Sequence, residues 1–378
     1  MNYQERRDKL IHSLKAVEIE DILIQDLDHI YYYTGFYAAV LSRPFALVMS
    51  GQKAVLIVPA TAADSAKLEA QGVDIEIYYE HPVEGHSSLN FHASLDQVIS
   101  NLAQGKLIGV EANKISLSEL NILSSRRLEV KDISTQLSQL RSVKEIDEIE
   151  AIRLSGKYVD YINKRTLGFV RPEISEIELE QMGANALRQE VAKNLPQASV
   201  TTFIMTTSGT ERTVLPHTNS SIRPLQPGDS LILCRQVAIN GYRAQCDRMG
   251  FVGEPSKEQK DYYSIVLRAH AAALEAIRPG INASEVDKAI RNVFQQEGVD
   301  QYFVHRSGSG IGISMGESPF LRFDSQEILA ENMTLIIQPA LYIPGVGGFR
   351  CSDTVLVQKD GCELITHYPR DIESLTIG

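Results

Sequence analysis

The sequence predicts an α/β protein of two domains. An N-terminal α/β sandwich is expected over residues 1–140, and a C-terminal α+β domain with pseudo-twofold duplication over residues 141–378. Three observations carry this. The 378 residues exceed one domain of roughly 150. Short β-rich runs alternate with helical stretches in the first third. After residue 141 a helix pair followed by β-structure occurs twice, as in a duplicated unit closing around a shared cleft.

In order, Asp21–Gln25, Phe45–Met49, Ala54–Pro59, Val73–Tyr79 and Lys106–Glu111 read as strands, being short, rich in β-branched residues and bounded by turn formers. Thr61–Gln71, with Thr61 as its cap, and Ser116–Ser125 read as helices. A long helix is expected to start near Leu140–Val143, with Val143, Ile146, Ile149 and Ile152 on one face and Lys144, Asp147 and Glu148 in solvent. A second helix follows at about Ser175–Ala192, then strands through Val200–Thr206, Leu231–Val237 and Gly241–Phe251. The pattern recurs with helices at Ser256–Ile277 and Ser284–Glu297 and strands near Tyr302–His305, Met333–Gln338 and Ser352–Val357.

Composition narrows the function. Lys and Arg number 37 against 48 Asp and Glu, a net charge of −11, which leaves no basic face for a nucleic-acid backbone. No run approaches the roughly 18–20 apolar residues of a membrane span. Met1–His12 is polar and does not read as a secretory signal, and four cysteines make a disulfide framework unexpected. The expectation is a reduced, cytoplasmic protein.

Two patterns are decoys. Gly308, Gly310 and Gly312 imitate a dinucleotide loop, but Met315-Gly316-Glu317-Ser318-Pro319 cannot open the helix that such a loop requires, so close backbone packing is expected instead. Asn219-Ser220-Ser221, Asn282-Ala283-Ser284 and Asn332-Met333-Thr334 match a glycosylation acceptor, without meaning absent secretion. The histidines show no zinc spacing.

Ile30-Tyr31-Tyr32-Tyr33-Thr34-Gly35-Phe36 and Leu140-Arg141-Ser142-Val143-Lys144-Glu145 resemble the opening signatures of the two domains of the aminopeptidase P, prolidase and creatinase family. Leu215-Pro216-His217, Gly228-Asp229, Gly241-Tyr242, Val252-Gly253-Glu254-Pro255, and Arg350 with Asp353 continue the likeness in order. The resemblance covers essentially the whole chain and implies the two-domain "pita-bread" fold. The metallopeptidases of that family hold two metal ions with two Asp, one His and two Glu. Carried onto this chain, those five positions fall on Cys234, Gln245, Ser309, Gln338 and Ser352. Hard divalent ions need anionic oxygens and imidazole. Two amides, two hydroxyls and a thiol do not supply them, so neither metal nor other cofactor is expected.

The resemblance then turns to creatinase, the metal-free member. It implies His217 as acid/base and Asp247 as a carboxylate for a cationic ligand. Strand alternation independently places Gln245 and Asp247 on one face. Arg43 and Arg322 are implied to grip a substrate carboxylate, for which the guanidinium fork is suited. In that family the segment bearing Arg43 enters the partner subunit's cleft, so a homodimer with composite sites is expected. Glu317 and Arg350 are candidates to assist, with Cys234, Gln245, Ser309, Gln338 and Ser352 lining the pocket. A thiol at Cys234 could be a nucleophile if its pKa were lowered; a space-filling role is the simpler reading. The resulting expectation is a metal-independent hydrolase of a C–N bond in a small carboxylate-bearing amidine or guanidine. Two alternatives stand beside it: a non-catalytic protein of the same fold binding a peptide, protein or small molecule, and, after that, an Xaa-Pro peptidase.

Overall fold

The computed structural model describes all residues except 39–41 and 85–89, and falls into two units, Met1–Arg141 and Ser142–Gly378. Among the described residues, no helix is long and apolar enough to cross a membrane.

In the first unit, helices α1 (Tyr3–Leu14), α2 (Leu27–Thr34), α3 (Ala63–Glu69), α4 (Phe91–Leu102) and α5 (Leu117–Ser125) accompany strands β1 (Asp21–Ile24), β2 (Ala46–Ser50), β3 (Lys53–Pro59), β4 (Asp74–Tyr78), β5 (Leu107–Val110) and β6 (Glu129–Asp132). The strands form one mixed sheet in the order β4-β3-β2-β1-β5-β6. Strand β1 is buried along its whole length, as its Ile22-Leu23-Ile24 run demands, and pairs antiparallel to β2 and parallel to β5. Leu23, Val48, Ile57, Leu95, Ile99 and Val110 belong to its core. Helix α3 starts later than expected. A 3-10 turn at Ala60–Ala62 precedes it, so Thr61 lies inside the turn and is not the cap.

Helix α6 (Ser134–Ser142) leads to the second unit, where α7 (Ile146–Leu167) and α8 (Glu176–Asn194) precede β7 (Val200–Ser208), the short α9 (Gly209–Thr213), β8 (Ser230–Ile239), β9 (Tyr242–Gln245) and β10 (Arg248–Val252). Then α10 (Lys257–Ala276) and α11 (Ala283–Gln296) precede β11 (Gly308–Gly310), β12 (Glu317–Leu321), β13 (Thr334–Ile337), β14 (Ala340–Ile343), β15 (Gly347–Arg350), β16 (Asp353–Gln358) and β17 (Gly361–Leu364), with α12 (Ile372–Leu375) and β18 (Thr376–Ile377) last. One sheet runs β18-β10-β8-β7 with β9 on β8; another runs β12-β11-β13-β16-β17; β14 and β15 form a ribbon. Two helix pairs, each followed by a sheet, reproduce the duplication expected from sequence.

Local physics accounts for the elements. Ser175 and Ser256 open α8 and α10 as capping boxes with Glu178 and Gln259. Val286, Ile290 and Phe294 recur every four residues along α11 and are fully buried, each contributing roughly 1.5–3 kcal/mol. The two halves meet at a backbone seam. The Asp247 N–H donates to Ser352 O (3.2 Å), and the Ser352 N–H returns a bond to Asp247 O (3.1 Å).

Three expectations are corrected here. Of the charged residues expected in solvent at the start of α7, Asp147 is exposed but Lys144 and Glu148 are not. Lys144 is buried and donates to Glu317 (2.8 Å), while Glu148 caps the Glu145 N–H (3.0 Å) and accepts from the Tyr242 hydroxyl (3.0 Å). Val143 and Ile146, expected inside, are exposed. The strand placed at Tyr302–His305 is a 3-10 turn over Asp300–Tyr302 followed by irregular chain, and pairing begins at Gly308. The glycine motif is indeed close packing: a Cβ at Gly308 would collide with the Ile336 carbonyl, and one at Gly310 with that of Ser318.

Candidate functional site

The second unit encloses a cavity of about 950 Å³. Strand β8 supplies Cys234 and Gln236, two residues apart and therefore on one face. Its intervening Arg235 turns the other way and donates to Met205 O (2.6 Å) and the Thr206 hydroxyl (2.7 Å). Gln245 comes from the end of β9, Ser309 from β11, Gln338 from just beyond β13, and Arg350 from the end of β15. His217 enters from the exposed loop after α9, while His305 and Arg306 precede β11.

At the floor, the Arg350 Nε donates to Asp247 Oδ2 (2.8 Å). Asp247 is fully buried and also accepts from the Arg235 N–H (3.1 Å) and from Gln245 Nε2 (3.0 Å). The Gln338 carboxamide lies between two donors, 3.2 Å from Gln245 Nε2 and 2.8 Å from Arg350 Nε, so its oxygen serves one of them at a time. Burial works against the Arg350 charge, but Asp247 outweighs it and holds the guanidinium firmly protonated.

Burial, reinforced by Asp247, pushes the Cys234 thiol up to about 12. A thiolate is therefore scarce at neutral pH, which favours the space-filling reading of Cys234. Burial, with the Arg350 charge nearby, lowers His305 to about 4. His305 is thus neutral. Its Nδ1 donates to the Arg306 carbonyl (2.8 Å), which leaves Nε2 to accept from the Tyr342 hydroxyl (3.1 Å).

Of the residues singled out from sequence, His217, Arg322, Cys234, Gln245, Ser309, Gln338 and Arg350 line the cavity. Asp247 and Ser352 lie behind them, fully buried; Gln245 Nε2 is 3.4 Å from the Ser352 hydroxyl. The shared strand face of Gln245 and Asp247 is real, but the His217–Asp247 pair is not formed. The Asp247 oxygens are engaged by Arg350, Gln245 and the Arg235 N–H instead. Nor is Asp247 presented to a cationic ligand, because Arg350 stands in front of it. Arg322 is exposed and paired with Asp324 (2.8 Å). Glu317 is committed to Lys144. Arg43, in the first unit, pairs with Glu80 (2.8 Å).

Sequence reading missed Gln236, Arg291, His305 and Arg306 on the cavity wall. The adjacent basic residues ahead of Ser307-Gly308 were a usable signal for the last two.

The Creatinase/Prolidase N-terminal domain model matches residues 6–143, and the Metallopeptidase family M24 model matches residues 150–359, more than half of the chain. The chain belongs to metallopeptidase family M24. The Xaa-Pro dipeptidase of Pyrococcus furiosus is 27% identical over 370 residues, covering 98% of this chain and 99% of that protein. Among solved structures, the prolidase from Pyrococcus horikoshii OT3 superposes with a TM-score of 0.84 at 25% identity, covering 97% of this chain and 99% of that one. The Xaa-Pro dipeptidase from Bacillus anthracis gives 0.84 at 26% identity, covering all of both chains. The family is one of hydrolases, and its pita-bread architecture is the one described above.

These relatives overturn the expectation of a creatinase-like, metal-independent hydrolase of an amidine or guanidine. The three relatives just described are named as Xaa-Pro dipeptidases or a prolidase, and the M24 model over residues 150–359 is that of a metallopeptidase family. The cleft agrees, since the carboxylate meant for a cationic ligand is sealed behind Arg350.

The family implies a dinuclear metal centre, but the residues present do not fit one. The five positions offer one thiol, two carboxamides and two hydroxyls, and a guanidinium projects among them. A dication pair there would meet a fixed positive charge, no carboxylate at any of the five positions, and an Asp247 already paired with Arg350. Among the described residues, the three-residue grouping capable of holding an ion is His270, Cys351 and Asp353. That grouping is fully buried, and its carboxylate is already paired with Arg248 (2.7 Å).

Proposed function

We propose that the cleft of this M24 protein receives a short peptide, dipeptide to tripeptide in size, and holds it by its C-terminal carboxylate. The observation that carries this is the buried Arg350 at the floor of a 950 Å³ cavity, fixed by Asp247 from behind. A guanidinium whose position is set before binding loses little freedom on meeting a carboxylate, and the amides of Gln245 and Gln338 beside it complete a polar floor. A cavity of this volume suits a ligand of that size. Phe203, Val304 and Phe323 give the wall an apolar part against which a proline ring can pack. The names of the relatives support the same ligand class.

Peptide-bond hydrolysis is the second reading. It is favoured by membership in a hydrolase family, and His217 on the cavity wall is its candidate proton-transfer group. A homodimer is proposed on the family likeness and is checked by light scattering at micromolar concentration.

Calorimetric titration of Xaa-Pro dipeptides, free and N-acetylated, each against its C-terminal amide, tests the reading. The carboxylates should bind at least about tenfold tighter than the amides, because the amide leaves the buried guanidinium unpaired. Equal affinity, or no binding of any form at 10 mM, would sink the proposal. Chromatography for released proline, with and without added Mn(II), separates binding alone from hydrolysis.

A further inference from the structure

The charge lining the cleft has one sign. Among the described residues, every fully ionised side chain on the cavity wall is an arginine: Arg291, Arg306, Arg322 and Arg350. Three of the four are balanced from outside the cavity. Asp287 holds Arg291 (2.7 Å), Asp324 holds Arg322 (2.8 Å), and Asp247 holds Arg350 (2.8 Å). Those carboxylates orient the guanidiniums without entering the wall.

Arg306 is different. Its guanidinium lies over the Phe320 ring, 4.7 Å from the centroid, beside the like charge of Arg322, and no carboxylate among the described residues pairs with it. Two cationic stations result, one at the floor (Arg350) and one toward solvent (Arg306 with Arg322). The five positions at which the family places its metal ligands carry no acid that could receive an α-ammonium.

Resting on the short-peptide reading, we infer that the cleft selects peptides carrying two anionic groups and no free amine. The C-terminal carboxylate goes to Arg350, and a second carboxylate near the blocked amino end goes to the Arg306–Arg322 station. A free α-ammonium near the mouth would face Arg306, whose charge no carboxylate among the described residues offsets, with no acid on the wall to receive it, whereas an acyl group removes that repulsion and a terminal carboxylate reverses it. The ligand class is thus an N-acylated acidic dipeptide, for which N-succinyl-Ala-Pro is a probe. Binding is non-covalent and needs no co-reactant.

The experiment is calorimetric titration of the full chain with Ala-Pro, N-acetyl-Ala-Pro and N-succinyl-Ala-Pro, repeated at 50 and 200 mM salt. The inference expects N-succinyl-Ala-Pro to bind at least about tenfold tighter than Ala-Pro, with N-acetyl-Ala-Pro between them, and the spread to narrow at the higher salt. Arg306→Gln, at an exposed position, should bring the succinyl-to-acetyl affinity ratio toward one, a ratio for which each protein is its own reference. Ala-Pro binding as tightly as the succinyl peptide overturns the inference and leaves the short-peptide reading standing. Glutarate binding, with every peptide silent, overturns the short-peptide reading while keeping the two anionic stations. Silence from glutarate and all three peptides overturns both.

Discussion

The second unit contains two carboxylate–guanidinium pairs that share a type and differ in use. Asp353 and Arg248 are both fully buried and 2.7 Å apart. Asp353 is also held by the Thr366 hydroxyl (2.7 Å), His270 Nε2 (3.0 Å) and Arg370 (3.4 Å), while Arg248 additionally donates to Ser352 O and Tyr368 O (both 2.7 Å). Neither residue lines the cavity. Asp247 and Arg350 are nearly as buried, yet Arg350 forms part of a cavity wall, and only its inner side is satisfied by a carboxylate. A buried ion pair is weak evidence of stability by itself. What separates these two is whether the cation keeps a face for something else: the first pair locks strands together, and the second offers its charge to a ligand.

The sharpest way to break this comparison is to remove each cation. Arg248→Met leaves Asp353 charged and buried, and should cost about 3–5 kcal/mol in urea unfolding. Burial would raise the Asp353 pKa, but Arg248 and His270 outweigh it and hold it far below the usual carboxylate range. Its stabilising contribution is therefore present above the unfolded-state value of about 4 and fades only as the pH falls below that range.

Arg350→Met should cost less, about 2–3 kcal/mol, because Asp247 keeps the Arg235 N–H and Gln245. It should also abolish peptide-carboxylate binding in the calorimeter. Pairing Arg350→Gln with Asp247→Asn should recover most of the stability and none of the binding. Recovery of both would show that Arg350 is merely structural.

A smaller effect concerns the neutral His305. Its folded pKa of about 4 lies below the ordinary 6.5, so the unfolded chain binds the extra proton first. Stability should drop by on the order of 2 kcal/mol as pH falls from about 6.5 to 4, then level off for this group. His305→Gln should flatten that part of a urea-midpoint profile. The smallest change is expected in the first unit. Arg43→Ala breaks the solvent-facing pair with Glu80 and should shift stability by no more than about 0.5 kcal/mol.

What the sequence disclosed and what it hid divide along contact range. Periodicity and turn residues locate the first five strands of the N-terminal sheet but not β6, β12, β14, β15 or β17, and alternation alone puts Gln245 and Asp247 on one face. The positions of Cys234, Gln245, Ser309 and Gln338 around one cavity followed from ordered motifs. Lys144 looked solvated because its partner Glu317 is 173 residues away. Asp247 looked available because Arg350, a hundred positions later, gives no local sign of standing in front of it. His305 reads as the end of a strand because Tyr302-Phe303-Val304 is locally apolar, Arg306 follows it with no signal of its own, and only the fold places both on the cavity wall. Local pattern describes what a residue can do; its partner decides what remains for it to do.

The paired backbone bonds between Asp247 and Ser352 bear on how such a protein changes over evolutionary time. At these two positions the join is made from peptide N–H and C=O groups, which any residue other than proline can provide, while Arg248–Asp353 and the Thr354 hydroxyl hold it alongside. The side chains of residues 247 and 352 are consequently decoupled from the backbone bonds they decorate. A lineage can exchange acids for serine or glutamine there, or acquire a guanidinium among them, and inherit the same architecture. Placing Asp at positions 234 and 245, His at 309 and Glu at 338 and 352 is for the same reason a tractable engineering route, provided Arg350 is neutralised alongside them.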